Sequence, residues 1–306
     1  MIFRHVALVG LGLIGSSIAH ACRLSGAAER VTGYARSPET RAVARRINFC
    51  EVFDTVHDAV AGADCVILCV PVGACGQVMA EIAPSIADGA VISDVGSVKQ
   101  DLIAAIEPHV PDHAHFVPGH PMAGTEHSGP EAGFAALFKN RWVILTPLPG
   151  GTPEKSDQLA AFWQKLGAKT TLMTPEHHDL VVAVTSHVPH AIAYTMVGVA
   201  DDMRRVTDRE VVEFSAAGFR DFTRIAASDP TMWRDVFLNN KEATLDVLGR
   251  FTEELMAVQS AIRRGDGDYL FDYFTRTRAI RRGIIDAGQD TEAPDFGRIA
   301  LPETKP

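Results

Sequence analysis

The clearest chemistry lies near the start of the chain. Val6-Ala7-Leu8-Val9-Gly10-Leu11-Gly12-Leu13-Ile14-Gly15 sets Gly-x-Gly-x-x-Gly between a short apolar run and a helical pattern. In that setting Gly10 permits a tight turn, Gly12 lets phosphates approach the backbone, and Gly15 lets helix and strand pack closely. The free N–H groups at the helix start, around Leu13 and Ile14, and the positive end of its dipole suit a pyrophosphate. The ligand this pattern serves is a nicotinamide dinucleotide. Which one turns on the end of the next strand, about 20 residues past Gly15, where Tyr34-Ala35-Arg36-Ser37 stands. An acid there would hold the ribose 2′-hydroxyl and repel a 2′-phosphate. None is present, and Arg36 with Ser37 could bind a phosphate instead. The balance favours NADP over NAD; the alternative is that Arg36 only stacks on the adenine.

Other clusters fall where strands end, the usual ligand side of such an architecture. They are Asp94-Val95-Gly96-Ser97-Val98-Lys99 and Gly119-His120-Pro121-Met122-Ala123-Gly124-Thr125-Glu126. A helical stretch adds Ser186-His187-Val188-Pro189-His190, then Gly218 to Ala226 with Arg224, then Trp233. His187 and His190 lie three apart and share a helix face. An arginine such as Arg224 grips a carboxylate in fixed geometry; pairing with Asp221 is its structural alternative. His113, His115, His120 and His127 fit no metal-ligand spacing, so no metal site is expected.

The elements that must position these residues alternate in the first half. Strands are expected at His5–Val9, Arg30–Tyr34, Ala63–Pro71, Ala90–Val95, His115–Pro118, Arg141–Pro147 and Lys169–Met173, with helices at Leu13–Ser25 and about Pro153–Leu166. Continuous apolar runs such as ADCVILCVP mark strands buried on both faces. The expectation is an α/β chain: a Rossmann-type, doubly wound, mostly parallel sheet over residues 1–174. After Pro175 strand patterns vanish. His177–Ala200 reads as a buried helix kinked at Pro189. Ser228-Asp229-Pro230 opens a helix running to about Arg264, and Gly265-Asp266-Gly267-Asp268 breaks it before a last helix, Tyr269–Ala287. Residues 175–288 are thus an all-α domain, and 289–306 a disordered tail.

Composition bounds the rest. The 306 residues suffice for two domains, and a net charge of −9 argues against nucleic acid as a partner. No signal peptide is evident, and the apolar stretches read as too short or interrupted to span a bilayer. Five cysteines, an odd number without a Cys-x-x-Cys pair, read as reduced thiols of a cytoplasmic protein.

Taken in order, GLGLIGSS, CVPV, DVGSVK, HPMAGTEHSG, SHVPH, GFRDFTRIAASDPTMWRD and DGDYL make nearly all of residues 5–285 resemble the prephenate/arogenate (cyclohexadienyl) dehydrogenase family of tyrosine biosynthesis. The resemblance implies NAD(P)+-dependent oxidative decarboxylation of prephenate to 4-hydroxyphenylpyruvate, or of arogenate to tyrosine. By the same resemblance, His120 matches the catalytic histidine and Ser97 a serine on the same substrate hydroxyl. For Ser97, a helix cap is the structural alternative. Arg224 matches the arginine on the ring carboxylate, His190 a residue near the substrate side chain, and His187 its neighbour. Thr125, Glu126, Gly218 and Trp233 match positions lining or gating the site, and Val70 and Pro71 of CVPV join the cofactor set. A homodimer built through the helical domain is implied as well. Neither a fused mutase nor a regulatory domain is expected. A β-hydroxyacid dehydrogenase would share the glycine motif but ordinarily uses a lysine of its helical domain, and HPMAGTE and FTRIA argue against it. The choice between prephenate and arogenate stays open.

Overall fold

The computed structural model describes residues 1–125, 127–204 and 217–286. It parts into two compact units, Met1–Val247 and Leu248–Pro306. The first unit is built on six parallel strands: β1 (Phe3–Val9), β2 (Ala28–Tyr34), β3 (Glu51–Val52), β4 (Cys65–Leu68), β5 (Val91–Asp94) and β6 (His115–Phe116). Their order is β3-β2-β1-β4-β5-β6, the doubly wound arrangement with its switch point between β1 and β4. Connecting helices are α1 (Leu13–Ser25), α2 (Pro38–Ile47), α3 (Val56–Val60), α4 (Cys75–Ile82) and α5 (Gln100–Ile106). Alternate side chains of β1 and β4 enter two apolar cores. Leu8 and Ile67 pack with Ile18, Phe162 and Trp163, while Val9 and Leu68 pack with Met79, Ile82 and Leu102. Burial on both faces is why these strands read as unbroken apolar runs.

The expected single sheet stops earlier than its strand pattern. Pro118 has no N–H for a ladder, and its carbonyl accepts from the Thr146 N–H at 3.0 Å. The chain turns there into a second, three-stranded sheet of β7 (Gly119–Pro121), β8 (Trp142–Leu145) and β9 (Lys169–Leu172). β7 runs antiparallel to β8, and β8 parallel to β9. Between β8 and β9, α6 (Pro153–Lys165) buries Phe162 and Trp163. The turn at Pro118 sends His120 across the C-terminal ends of the parallel strands rather than along them.

Two expected helices are also broken. His177–Ala200 proves to be α7 (Pro175–Val182), a widened π-helical turn (Ala183–His187) and α8 (Val188–Arg204). The irregularity precedes Pro189 because that residue offers no N–H and its ring crowds the carbonyl four residues back, at Thr185. The segment 230–264 is two helices, not one. After α9 (Ala217–Thr223) come α10 (Pro230–Asn239) and α11 (Lys241–Arg264), divided at Asn240, whose φ of −128° and ψ of 44° leave the helix. Asp229 caps α10 as expected, accepting from the N–H groups of Thr231 and Met232. The second unit ends in α12 (Gly267–Ile284), capped by Asp266. The expected tail, 289–306, and the end of the last helix at Ala287 lie outside the described residues.

α5 packs on both α7 and α10, so these early helices belong to the same compact unit as the sheet. The apolar stretch was expected to be too interrupted for a bilayer. Instead Pro175–Met203 forms one 29-residue helical run long and apolar enough to cross a membrane by length and composition.

Candidate active site

The glycine turn has the form its sequence implies. Gly10 sits at φ +111°, and a side chain there would stand 2.3 Å from the Cys69 carbonyl. A Cβ on Gly15 would lie 2.1 Å from the Gly10 carbonyl, whereas one on Gly12 would meet nothing within 4 Å. Gly12 therefore faces open space at the start of α1, where no side chain caps the N–H groups and no acid occupies the first turn. Half-buried Leu13 and Ile14 form that turn, and Val70-Pro71 leave β4 next to Gly10. These residues fit a dinucleotide pyrophosphate. At the other end of the cradle Arg36 is exposed. Ser37 is committed elsewhere: its hydroxyl caps α2 by accepting from the Thr40 N–H at 3.2 Å and donates to Glu39 at 2.6 Å. That bond holds the Glu39 carboxyl below its ordinary range.

On the substrate side, β5 and β7 end together. Asp94 accepts from the N–H groups of Gly96 and Gly119, and Lys99, fully buried, donates to Asp94 and to the Gly119 carbonyl at 2.7 Å. This pair ties His120 to the tip of β5. Next to it, the His120 Nδ1 lies 2.8 Å from the His178 Nε2, and the His178 Nδ1 lies 2.8 Å from the Asp179 Oδ1. Asp179 also accepts from the backbone N–H groups of Lys99 and Gln100, at 2.8 and 2.9 Å, and so caps α5. The cap expected as the alternative for Ser97 is filled by Asp179, which leaves half-buried Ser97 between β5 and α5.

Proton positions follow from this chain. A carboxylate only accepts, so the His178 Nδ1 carries a proton. Burial lowers the His178 pKa, an effect the Asp179 bond only partly offsets, and the ring is neutral at pH 7. Its Nε2 is then the acceptor, and the His120 Nδ1–H donates to it. Burial, together with the neighbouring His178 and Lys99, drives the His120 pKa well below 6.5. A neutral His120 protonated on Nδ1 presents a bare Nε2. Burial pushes the Asp179 carboxyl up, but the His178, Gln100 and Lys99 hydrogen bonds outweigh it and leave it below the usual carboxylate range.

Trp233, buried on α10, gathers the helical residues. His190 stacks on it at 3.7 Å between centroids, and His187 meets its edge at 6.1 Å. The His190 Nδ1–H donates to the Ser186 carbonyl at 2.8 Å. Burial lowers the His190 pKa, and the Arg224 charge adds to the shift, which puts Arg224 within electrostatic reach of this cluster. Arg224 is exposed at the end of α9, and Asp221 pairs with Arg220. Gly218 and Thr125 are exposed, the Thr125 hydroxyl accepting from the His127 N–H. Glu126 lies outside the described residues.

Comparison with known proteins covers most of the chain. The family model "Prephenate dehydrogenase, nucleotide-binding domain" matches residues 18–172, and "Prephenate dehydrogenase, dimerization domain" matches 174–276. The chain belongs to the prephenate dehydrogenase family. It is 42% identical to the cyclohexadienyl dehydrogenase of Zymomonas mobilis over 92% of this chain and 97% of that one. It is 35% identical to the prephenate dehydrogenase of Bacillus subtilis over 91% of this chain and 76% of that one. Among solved structures, prephenate dehydrogenase from A. aeolicus in complex with hydroxyphenyl propionate and NAD+ superposes with a TM-score of 0.85 at 33% identity, covering 92% of this chain and 98% of that one. This member of the prephenate dehydrogenase family is thus an NAD(P)-dependent oxidoreductase of tyrosine biosynthesis that acts by oxidative decarboxylation.

Within that enzyme, three positions escaped the sequence reading. His178 and Asp179 fell within the helix expected from His177 and were given no role there. Asn240 sits in a helical pattern with no Gly or Pro to mark the break. The only local signal was the doubled histidine followed by an acid.

The lowered histidine pKa values make stability depend on pH. Unfolded, these rings titrate near 6.5; folded, His187 titrates at about 4. Between those values the unfolded chain binds more protons, so stability is present above pH 6.5 and is lost as pH falls toward 4. At pH 5.5 His187 alone accounts for about 1.4 kcal/mol. Urea midpoints at pH 7.5 and 5.5 check this: a clear drop is expected, and equal midpoints would contradict it.

Proposed function

We propose that His120 is the acceptor for the proton of the substrate's C4 hydroxyl, and that Ser97 hydrogen-bonds the same hydroxyl. The observation that carries this is the bare Nε2 of a buried, neutral His120 held by His178 and Asp179. The substrate is a cyclohexadiene with a hydroxyl at C4 and a carboxylate at C1. Bound nicotinamide supplies the hydride acceptor. As the C4 oxygen becomes carbonyl-like its proton passes to the His120 Nε2, and loss of CO2 from C1 lets the ring aromatise. The resulting imidazolium is stabilised through the Nδ1–H bond to His178 and onward to the Asp179 carboxylate. Arg224 holds the ring carboxylate, and His190, stacked on Trp233, lies toward the substrate side chain, with His187 as its neighbour. By the family resemblance, Thr125 and Gly218 line or gate the site. A site that accepts both prephenate and arogenate fits the likeness to a cyclohexadienyl dehydrogenase.

For the cofactor, the glycine turn with Leu13, Ile14, Val70 and Pro71 binds the pyrophosphate side. The preference for NADP now rests on Arg36 alone, since the Ser37 hydroxyl is engaged. Glu39 beside Ser37 favours the second reading, NAD, the dinucleotide bound by the A. aeolicus relative. We place the substrate and dimerisation domain at 175–288, after a cofactor domain at 1–174. A homodimer through the helical half is supported by exposed Met196, Val199, Leu255, Met256, Phe271 and Phe274, which a partner would cover. We assign the enzyme to the cytoplasm, with neither a membrane nor a nucleic acid as partner.

Steady-state kinetics with prephenate and arogenate, each with NAD and NADP, test this reading. His120→Asn is expected to lower kcat by roughly 10²–10⁴-fold with little change in substrate KM. Arg224→Ala is expected chiefly to raise KM. Near-normal turnover of the His120 variant removes that residue from the mechanism, and an unchanged KM makes Arg224 structural.

A further inference from the structure

Asn240 is the residue that breaks the 230–264 helix, and it is buried at the break with its amide turned inward. One amide atom lies 2.9 Å from the Asp179 backbone carbonyl and 3.0 Å from the His187 Nδ1. A carbonyl only accepts, so that atom is the Nδ2, and its two protons serve both neighbours. The His187 Nδ1 is therefore an acceptor. The ring is neutral, since burial drives its pKa to about 4, and its single proton must sit on Nε2. That Nε2 is fully buried, and the Ser97 backbone stands where its carbonyl can accept from the ring N–H. The backbone of Ser97 lies beside the ring, and the Trp233 edge closes another side.

We infer that Asn240 is a positioning residue that locks His187 as an Nε2–H donor facing the Ser97 side of the active site. The site then holds two neutral histidines in opposite tautomers, both set by Asp179. Its carboxylate acts through His178 to bare the Nε2 of His120, and its backbone carbonyl acts through Asn240 to protonate the Nε2 of His187. The first imidazole accepts a proton; the second directs its N–H at the Ser97 backbone and so holds the segment that carries the Ser97 hydroxyl. This rests on the reading of the site given above, but its tautomer claim is tested without substrate.

The test is long-range 1H–15N NMR of the full-length protein labelled with [15N]histidine, the His187 signals being assigned by their loss in His187→Gln. The wild-type protein at pH 7 is expected to carry the His187 proton on Nε2. In Asn240→Asp the new carboxylate can only accept, so a proton is expected on Nδ1, with substrate KM raised about tenfold and kcat changed less than threefold. A wild-type His187 protonated on Nδ1 overturns the inference whether or not the variant folds. So does an Asn240→Asp protein whose His187 still lacks a proton on Nδ1. Loss of turnover in His120→Asn bears on the other histidine and leaves this result independent.

Discussion

One buried carboxylate organises the catalytic half of this enzyme. Asp179 accepts from two backbone N–H groups at the start of α5 and from His178. An ion removed from water is costly unless its lone pairs are used, and here they are met by a helix start and an imidazole. Because α5 follows Ser97 and α7 carries Asp179, the same bonds dock the helical residues onto the strand ends. The proposed chemistry depends on this docking: the fixed acceptor on the His178 Nδ1–H decides which nitrogen of His120 is bare.

The second constraint is the buried Lys99–Asp94 pair. Asp94 ends β5, Lys99 precedes α5, and Gly119 opens β7, so three elements converge on one ion pair. Such a pair adds little net stability over apolar packing, yet removing one partner is costly, of order 3–5 kcal/mol. Its role here is geometric. It fixes where the chain turns out of the six-stranded sheet at Pro118, and hence where His120 stands relative to the glycine cradle.

What the sequence made legible was local. The turn at Gly10 and Gly15 follows from contacts between near neighbours, and Asp229-Pro230 announces a helix start within two residues. The parallel sheet was visible because burial on both faces writes itself into ADCVILCVP. The positions of His120, Ser97, His187 and Arg224 came from resemblance to a family. The missing parts depend on distant partners: Asp179 reaches residues about eighty positions away, and Asn240 reaches one fifty-three away. No local pattern encodes those pairings. The split sheet was misread because Pro118 stops a ladder without interrupting an apolar run. The engagement of the Ser37 hydroxyl was hidden because its acceptor, Glu39, lies two residues on in the first turn of α2.

The central claim is that burial and the His178–Asp179 chain keep His120 neutral with its Nε2 free. The pH dependence of kcat/KM reports the free enzyme's essential base and tests this most directly. The account predicts that kcat/KM stays level as pH falls from 8 through 6.5, with the acid limb below the ordinary histidine value. Activity lost with an apparent pKa at or above 6.5 would contradict it.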